Sequence, residues 1–156
     1  MKKVLLITLA IILAGFVALY LEDDYNRFIR NLYSWSSIGR IEFHGKDFRI
    51  FPGLLFTGSV AILFIAITIE NLSSPLRVII KRILVSLIII IVSAVFFSTI
   101  DAWLKIIQCT ACDDGILSLR KNEIKYSMIF SFSVLVTLLI MLIRTLRYNK
   151  RRNIDK

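Results

Sequence analysis

Both cysteines of the chain, Cys109 and Cys112, fall in the stretch "IIQCTACDDGIL" at Cys-x-x-Cys spacing. That spacing permits a disulfide closing a small loop, a dithiol that exchanges electrons with a partner, or half of a tetrahedral metal site. A strong zinc site shows a second Cys-x-x-Cys or a histidine pair, whereas this chain has one histidine, His44, which with Asp113 would complete only a mixed clip. A working thiol pair lowers its pKa at a helix N-terminus or beside a cation. Here a helix C-terminus is expected just before Cys109, and Asp113 and Asp114 add further negative charge. One feature opposes this, since "TACD" reads as a capping box that would start a helix under Cys112. The expectation is a structural disulfide between Cys109 and Cys112, with redox exchange by the same pair as the alternative, and no catalytic residue, cofactor or metal is assigned.

Other chemistry is sparse. "GLLFTGSV" carries two glycines of a phosphate loop, Gly53 and Gly58, but Ser59 stands where the lysine belongs. The acidic pairs Asp23-Asp24 and Asp113-Asp114 do not continue into the spacing of a calcium loop. His44 reads as a solvated turn residue.

The elements that must position these residues are apolar. Hydrophobic residues make up 57% of the 156, above the roughly 45–50% of soluble domains, and the mean hydropathy is +0.76. The apolar residues form four blocks free of Asp, Glu, Lys, Arg and His, at 4–21, 50–69, 83–100 and 126–143. Eighteen residues of helix span about 27 Å, near the thickness of a bilayer core, and lipid demands that each segment satisfy its own backbone. The fold class expected is an all-α membrane protein, a four-transmembrane-helix bundle forming one domain over residues 1–156. Val4 to Leu21 reads as a retained span because no small-x-small cleavage site stands before Glu22, and Phe16 replaces the cysteine of a lipoprotein box.

Charge sets the orientation. The ends and the loop 70–82 carry 11 basic and 2 acidic residues, while the loops 22–49 and 101–125 carry 9 of each. All of the net +9 therefore lies on one side, which the positive-inside rule makes cytoplasmic. The basic tail 144–156 is explained by orientation and by attraction to anionic lipid, so no nucleic-acid partner is expected. The expected location is a bacterial cytoplasmic membrane, with both termini inside and the cysteines facing an oxidising compartment.

In the outer loop 22–49, Tyr25, Phe28, Ile29, Leu32 and Tyr33 recur at helical spacing, predicting a short helix in the membrane interface or packed on the protein's own cap. "RIEFHGKDFRIF" predicts a hairpin turning at Gly45-Lys46, with Glu42 opposite Arg49 and Phe43 opposite Phe48. "LSLRKNEIKY" predicts a second hairpin turning at Lys121-Asn122, and the two together a small extracytoplasmic β-hairpin cap. Ala10, Ala14 and Ala18, and Gly53, Thr57 and Ala61, form small-residue stripes for close helix packing. Ser93, Ser98, Ser131, Ser133 and Thr137 read as hydrogen bonders between helices rather than a transport site. Ser74-Pro75 predicts an early start for the third helix, and Asp101 with Lys105 an (i, i+4) pair carrying it past its span.

A four-helix membrane bundle with outward cysteines resembles the quinone-linked thiol oxidoreductases. Those enzymes relay electrons through two cysteine pairs and this chain has one, so the resemblance covers architecture alone. The role expected from the sequence is a non-enzymatic accessory or interaction protein, with the lipid bilayer and a membrane or extracytoplasmic protein as partners. The rival roles are a thiol-disulfide oxidoreductase and an immunity-type protein against a pore-forming toxin.

Overall fold

A computed structural model of the chain describes residues 2–38, 40–45, 53–71, 75–108 and 117–154. Four helices dominate: α1 (Lys2–Ser36), α2 (Leu54–Asn71), α3 (Leu76–Gln108) and α4 (Tyr126–Ile154). Two short strands, β1 (Ile41–His44) and β2 (Leu117–Arg120), and a 3-10 turn at Lys121–Glu123 are the other elements among the described residues. Around the bundle α1 neighbours α2 and α3, and α4 closes the ring against the same two. Among the described residues three stretches, Leu54–Asn71, Arg77–Gln108 and Tyr126–Arg147, are long and apolar enough to cross a membrane.

α1, α3 and α4 outrun their uncharged blocks, whereas α2 begins inside its own. The heptad-like run after Leu21 does not form a separate interfacial helix, as the sequence suggested, but continues α1 without a break to Ser36. The reason is visible in burial: Glu22, Tyr25, Asn26, Ile29 and Tyr33 all face inward, whereas Asp23 and Asp24 are exposed. The same stripe that would have met lipid instead meets the other helices, so tertiary packing extends the helix. α1 stops where Ile38 takes a φ of 55°, the left-handed position that commonly ends a helix. α3 starts at Leu76, before its span as expected, and passes Asp101 and Lys105, which pair at 3.4 Å.

The strands correct a larger expectation. β1 pairs with β2 in a parallel two-stranded sheet, in register Ile41↔Leu117, Glu42↔Ser118, Phe43↔Leu119 and His44↔Arg120. Ile41 and Leu119 turn into the core and Glu42, His44, Ser118 and Arg120 outward, the alternation a half-buried sheet requires. The second hairpin is replaced: after Arg120 the chain enters the 3-10 turn, and the Glu123 carboxylate accepts the Arg120 N–H at 3.3 Å. Arg120 and Glu123 do meet, but as a turn cap. The first hairpin's return strand, including Arg49, lies outside the described residues, although Gly45 has the positive φ of 94° that its turn would use.

The small-residue stripe of α1 is the centre of helix packing, with Ala10, Ala14 and Ala18 all buried. Gly53, just before α2, and Thr57 and Ala61 on it are half-buried. Ser59 of α2 and Ser131 of α4 stand 2.8 Å apart and link those helices, while Ser98, Ser133 and Thr137 bond to carbonyls of their own helices. At the end away from the sheet, Arg82 of α3 donates to the Glu70 carbonyl and to Asn71 Oδ1, each at 3.1 Å, and so caps the C-terminus of α2.

Candidate functional site

The sheet end of the bundle holds most of the ionisable side chains that are not solvated. Four contacts, each between different elements, converge there. Glu22 is 95% removed from solvent, and both of its carboxylate oxygens accept the N–H of Gly53, at 3.0 and 3.3 Å. Gly53 precedes α2 and its carbonyl accepts the Thr57 N–H, so Glu22 supplies from α1 the carboxylate that an N-terminus favours. A Cβ at Gly53 would lie 3.2 Å from Ser127 Oγ, tighter than ordinary contact, so Ser127 would have to give way by a few tenths of an ångström.

Tyr33 is fully buried, and its hydroxyl donates to the Asp101 carboxylate of α3. Lys105 stands one turn on, 5.6 Å from the Tyr33 ring centroid, and donates to the Glu123 carbonyl at 3.0 Å. A single ammonium therefore meets a carboxylate, an aromatic face and the connection between β2 and α4. Across the bundle, the Arg30 guanidinium lies 5.9 Å from the Tyr126 ring centroid and makes a long 3.5 Å contact to its hydroxyl.

Beneath these contacts Tyr25 packs against Phe56 and Phe130 at centroid distances of 5.7 and 5.1 Å, and Phe56 meets Phe130 at 4.4 Å. Two buried polar atoms, Tyr25 Oη and Asn26 Oδ1, have no hydrogen-bond partner among the described residues. Burial pushes the Tyr25 phenol well above its ordinary value. Burial does the same to Tyr33, and the neighbouring Asp101 carboxylate reinforces it. Neither ring is thus a tyrosinate or a general base near neutral pH. The arrangement holds protons in place and fastens four elements to one another.

Alkaline pH should release that fastening. In the folded protein Tyr33 and Tyr25 keep their protons above about pH 10, where tyrosines of an unfolded chain lose theirs. The unfolded state then binds fewer protons, so stability is fully present below pH ~10 and declines above it, by up to about 1.4 kcal/mol per pH unit per tyrosine. Thermal unfolding in mild detergent, followed by near-ultraviolet circular dichroism, should give a midpoint that falls above pH ~10. Tyr33→Phe should make that fall shallower, and an unchanged slope would remove Tyr33 from the linkage.

The sequence-predicted sites are distributed differently. Cys109, Cys112, Asp113 and Asp114 lie outside the described residues, which reach Gln108 on one side and resume at Leu117 on the other. His44 is exposed on β1, with Glu42 3.7 Å away on the same face. Glu22 and Tyr33 were not singled out for a polar role by sequence. The available signal was the buried stripe of α1 itself, in which positions 22, 26 and 33 share the inward face with Ile29. Against known protein families, curated proteins and solved structures, the chain has no match.

Proposed function

We propose that the chain is a four-span protein of a bacterial cytoplasmic membrane, with both termini and the loop 70–82 in the cytoplasm. We further propose that it serves as a non-enzymatic accessory protein whose extracytoplasmic cap presents a surface to a membrane or periplasmic partner. The observation that carries insertion is the inversion of the bundle. Ile62, Leu84, Ile88, Val92, Phe96, Leu135, Leu139 and Leu142 are exposed along α2, α3 and α4, a continuous apolar girdle far larger than water-soluble monomers carry. Leu9, Ile12 and Phe16 extend it onto α1, which is why we count α1 as the fourth span. The charge split between the two ends supplies the orientation.

The accessory role is supported by what the polar groups do. Glu22, Tyr33, Asp101 and Lys105 are engaged in holding elements together, and the parallel pairing of β1 with β2 ties the two outer loops into one cap. A rigid platform of this kind suits recognition.

Fusions test the orientation. Alkaline phosphatase joined after Lys46 or Asn122 should be active and joined after Ser74 inactive, and the reverse pattern would overturn the assignment. Cross-linking in intact membranes from residues of the cap, such as Glu42 or Ser118, followed by purification in mild detergent, tests the role. A specific protein adduct is expected. Quinone-dependent turnover of a Cys109–Cys112 dithiol would instead establish the oxidoreductase, and neutralisation of a pore-forming toxin would establish the immunity role.

A further inference from the structure

At the end of the bundle opposite the sheet, a cavity of about 380 Å³ opens between the first turns of α3 and the later part of α4, lined by Arg77, Val78, Lys81, Arg82, Val85 and Arg144. Its size is that of a small-ligand site. On α3 these residues occupy positions i, i+1, i+4, i+5 and i+8, a single helical face, and Arg144 closes it from α4. Arg82 is held by Glu70 and Asn71, its Nε 3.8 Å from a Glu70 carboxylate oxygen. Arg77, Lys81 and Arg144 are exposed and make no ion pair among the described residues. Like charges at i and i+4, with a third across the gap, repel one another unless an anion lies between them.

The wall of the cavity is almost entirely apolar, and we infer that it holds an anionic phospholipid, with the apolar part of the lipid against that wall and its phosphate toward the exposed cations Arg77, Lys81 and Arg144. The inference rests on the membrane insertion proposed above and adds a ligand to it. The depth of the lining residues decides between a lipid and a free phosphate. Arg77, Lys81 and Arg82 belong to the charged segment before the third apolar block, and Arg144 directly follows the fourth, so the cations sit at headgroup level. Val85 lies within the third block, so apolar wall continues from the cations toward the acyl region, while Val78 stands between Arg77 and Lys81. A guanidinium from each of two helices offers forked donors to a phosphodiester, and Lys81 adds a point charge.

The test uses the full chain in mild detergent, titrated separately with phosphatidylglycerol, phosphatidylcholine and inorganic phosphate, with bound lipid read by native mass spectrometry. Phosphatidylglycerol should be retained in preference to phosphatidylcholine. Arg77→Gln and Arg144→Gln should each weaken it about tenfold, the scale of a lost charge-assisted hydrogen bond. Arg147→Gln removes the same charge from the same helix end at an exposed position outside the cavity, and should change retention less than about threefold, because it leaves every direct bond in place. Equal losses from Arg147→Gln and Arg144→Gln would reduce the effect to surface potential and overturn the site. Occupancy by inorganic phosphate that displaces the lipid preference would overturn the lipid assignment. Carbonate extraction reports insertion separately: a chain that stays in the membrane pellet yet shows no lipid preference overturns the cavity's role alone, and a chain released by carbonate overturns the insertion on which it rests.

Discussion

Replacing Tyr33 by alanine should cost about 3–5 kcal/mol, the range for deleting a fully buried aromatic ring. Three contacts go at once: the ring's packing against Phe43 at 6.5 Å, its face toward the Lys105 ammonium, and the hydroxyl's donation to Asp101. Tyr33→Phe separates them, because it keeps the ring and removes only the hydroxyl. Its cost should be near 1.5 kcal/mol, at the low end for a hydrogen bond to a charged group, since Asp101 is 39% exposed and retains Lys105. Tyr33→Phe with Asp101→Asn should then cost less than the two singles added, as for any pair in contact. Unfolding in mixed micelles, with tryptophan fluorescence as the signal, gives all four corners of that cycle. Strict additivity would dissolve the contact, and a Tyr33→Ala variant as stable as the parent would mean that the second half of α1 does not pack on α3.

Tyr33 also shows how far the sequence could be read. Its helical spacing with Tyr25, Ile29 and Leu32 was legible, because a 3.6-residue stripe is a local property. Its continuity with the preceding apolar block was not. Glu22, Asp23 and Asp24 look like the end of a membrane segment, and only the bundle reveals that Glu22 turns inward to the N-terminus of α2 while its two neighbours face solvent. Pairing across elements carries no local period. The second hairpin failed for the same reason, and the parallel pairing went unread: hairpin logic uses turn chemistry between adjacent residues, whereas β1 and β2 are joined through α2 and α3 and meet only after those helices have packed. The alternation of Ile41, Phe43, Leu117 and Leu119 marked which faces would be buried, but it is equally consistent with either partner.

The hydrophobic blocks were legible as long apolar helices, three of them long and apolar enough to cross a membrane, because an uncharged run is a property of consecutive residues. What those blocks concealed was the difference between the outward face of each helix and the face that meets another helix, since both are apolar. In the apolar block of α1, size rather than polarity distinguishes them. On α1 the exposed residues are Leu9, Ile12, Leu13 and Phe16, and the buried ones are Ala10, Ala14 and Ala18.

Size therefore predicts opposite outcomes at two adjacent positions. Ala14 is completely buried, so Ala14→Leu must push its extra atoms into the neighbouring helices and should destabilise the bundle by about 1–3 kcal/mol, the usual cost of overpacking. Gly15 is rotated by one helical step, and a Cβ added there would meet nothing within 4 Å. Gly15→Ala should stabilise by about 0.5–1 kcal/mol, because alanine loses less backbone entropy than glycine on entering a helix and here encounters no clash. Both variants keep an apolar residue at the same depth of the same helix, so hydropathy predicts no difference in sign between them. Denaturant midpoints in mixed micelles should move down for Ala14→Leu and up for Gly15→Ala. Movement in the same direction would mean that α1 presents a different face to the bundle. The inward positions of Glu22, Tyr25 and Tyr33 would then fall with it, since 14, 18, 22, 25, 29 and 33 form one continuous stripe down the helix and the rotation that buries any of them buries them all.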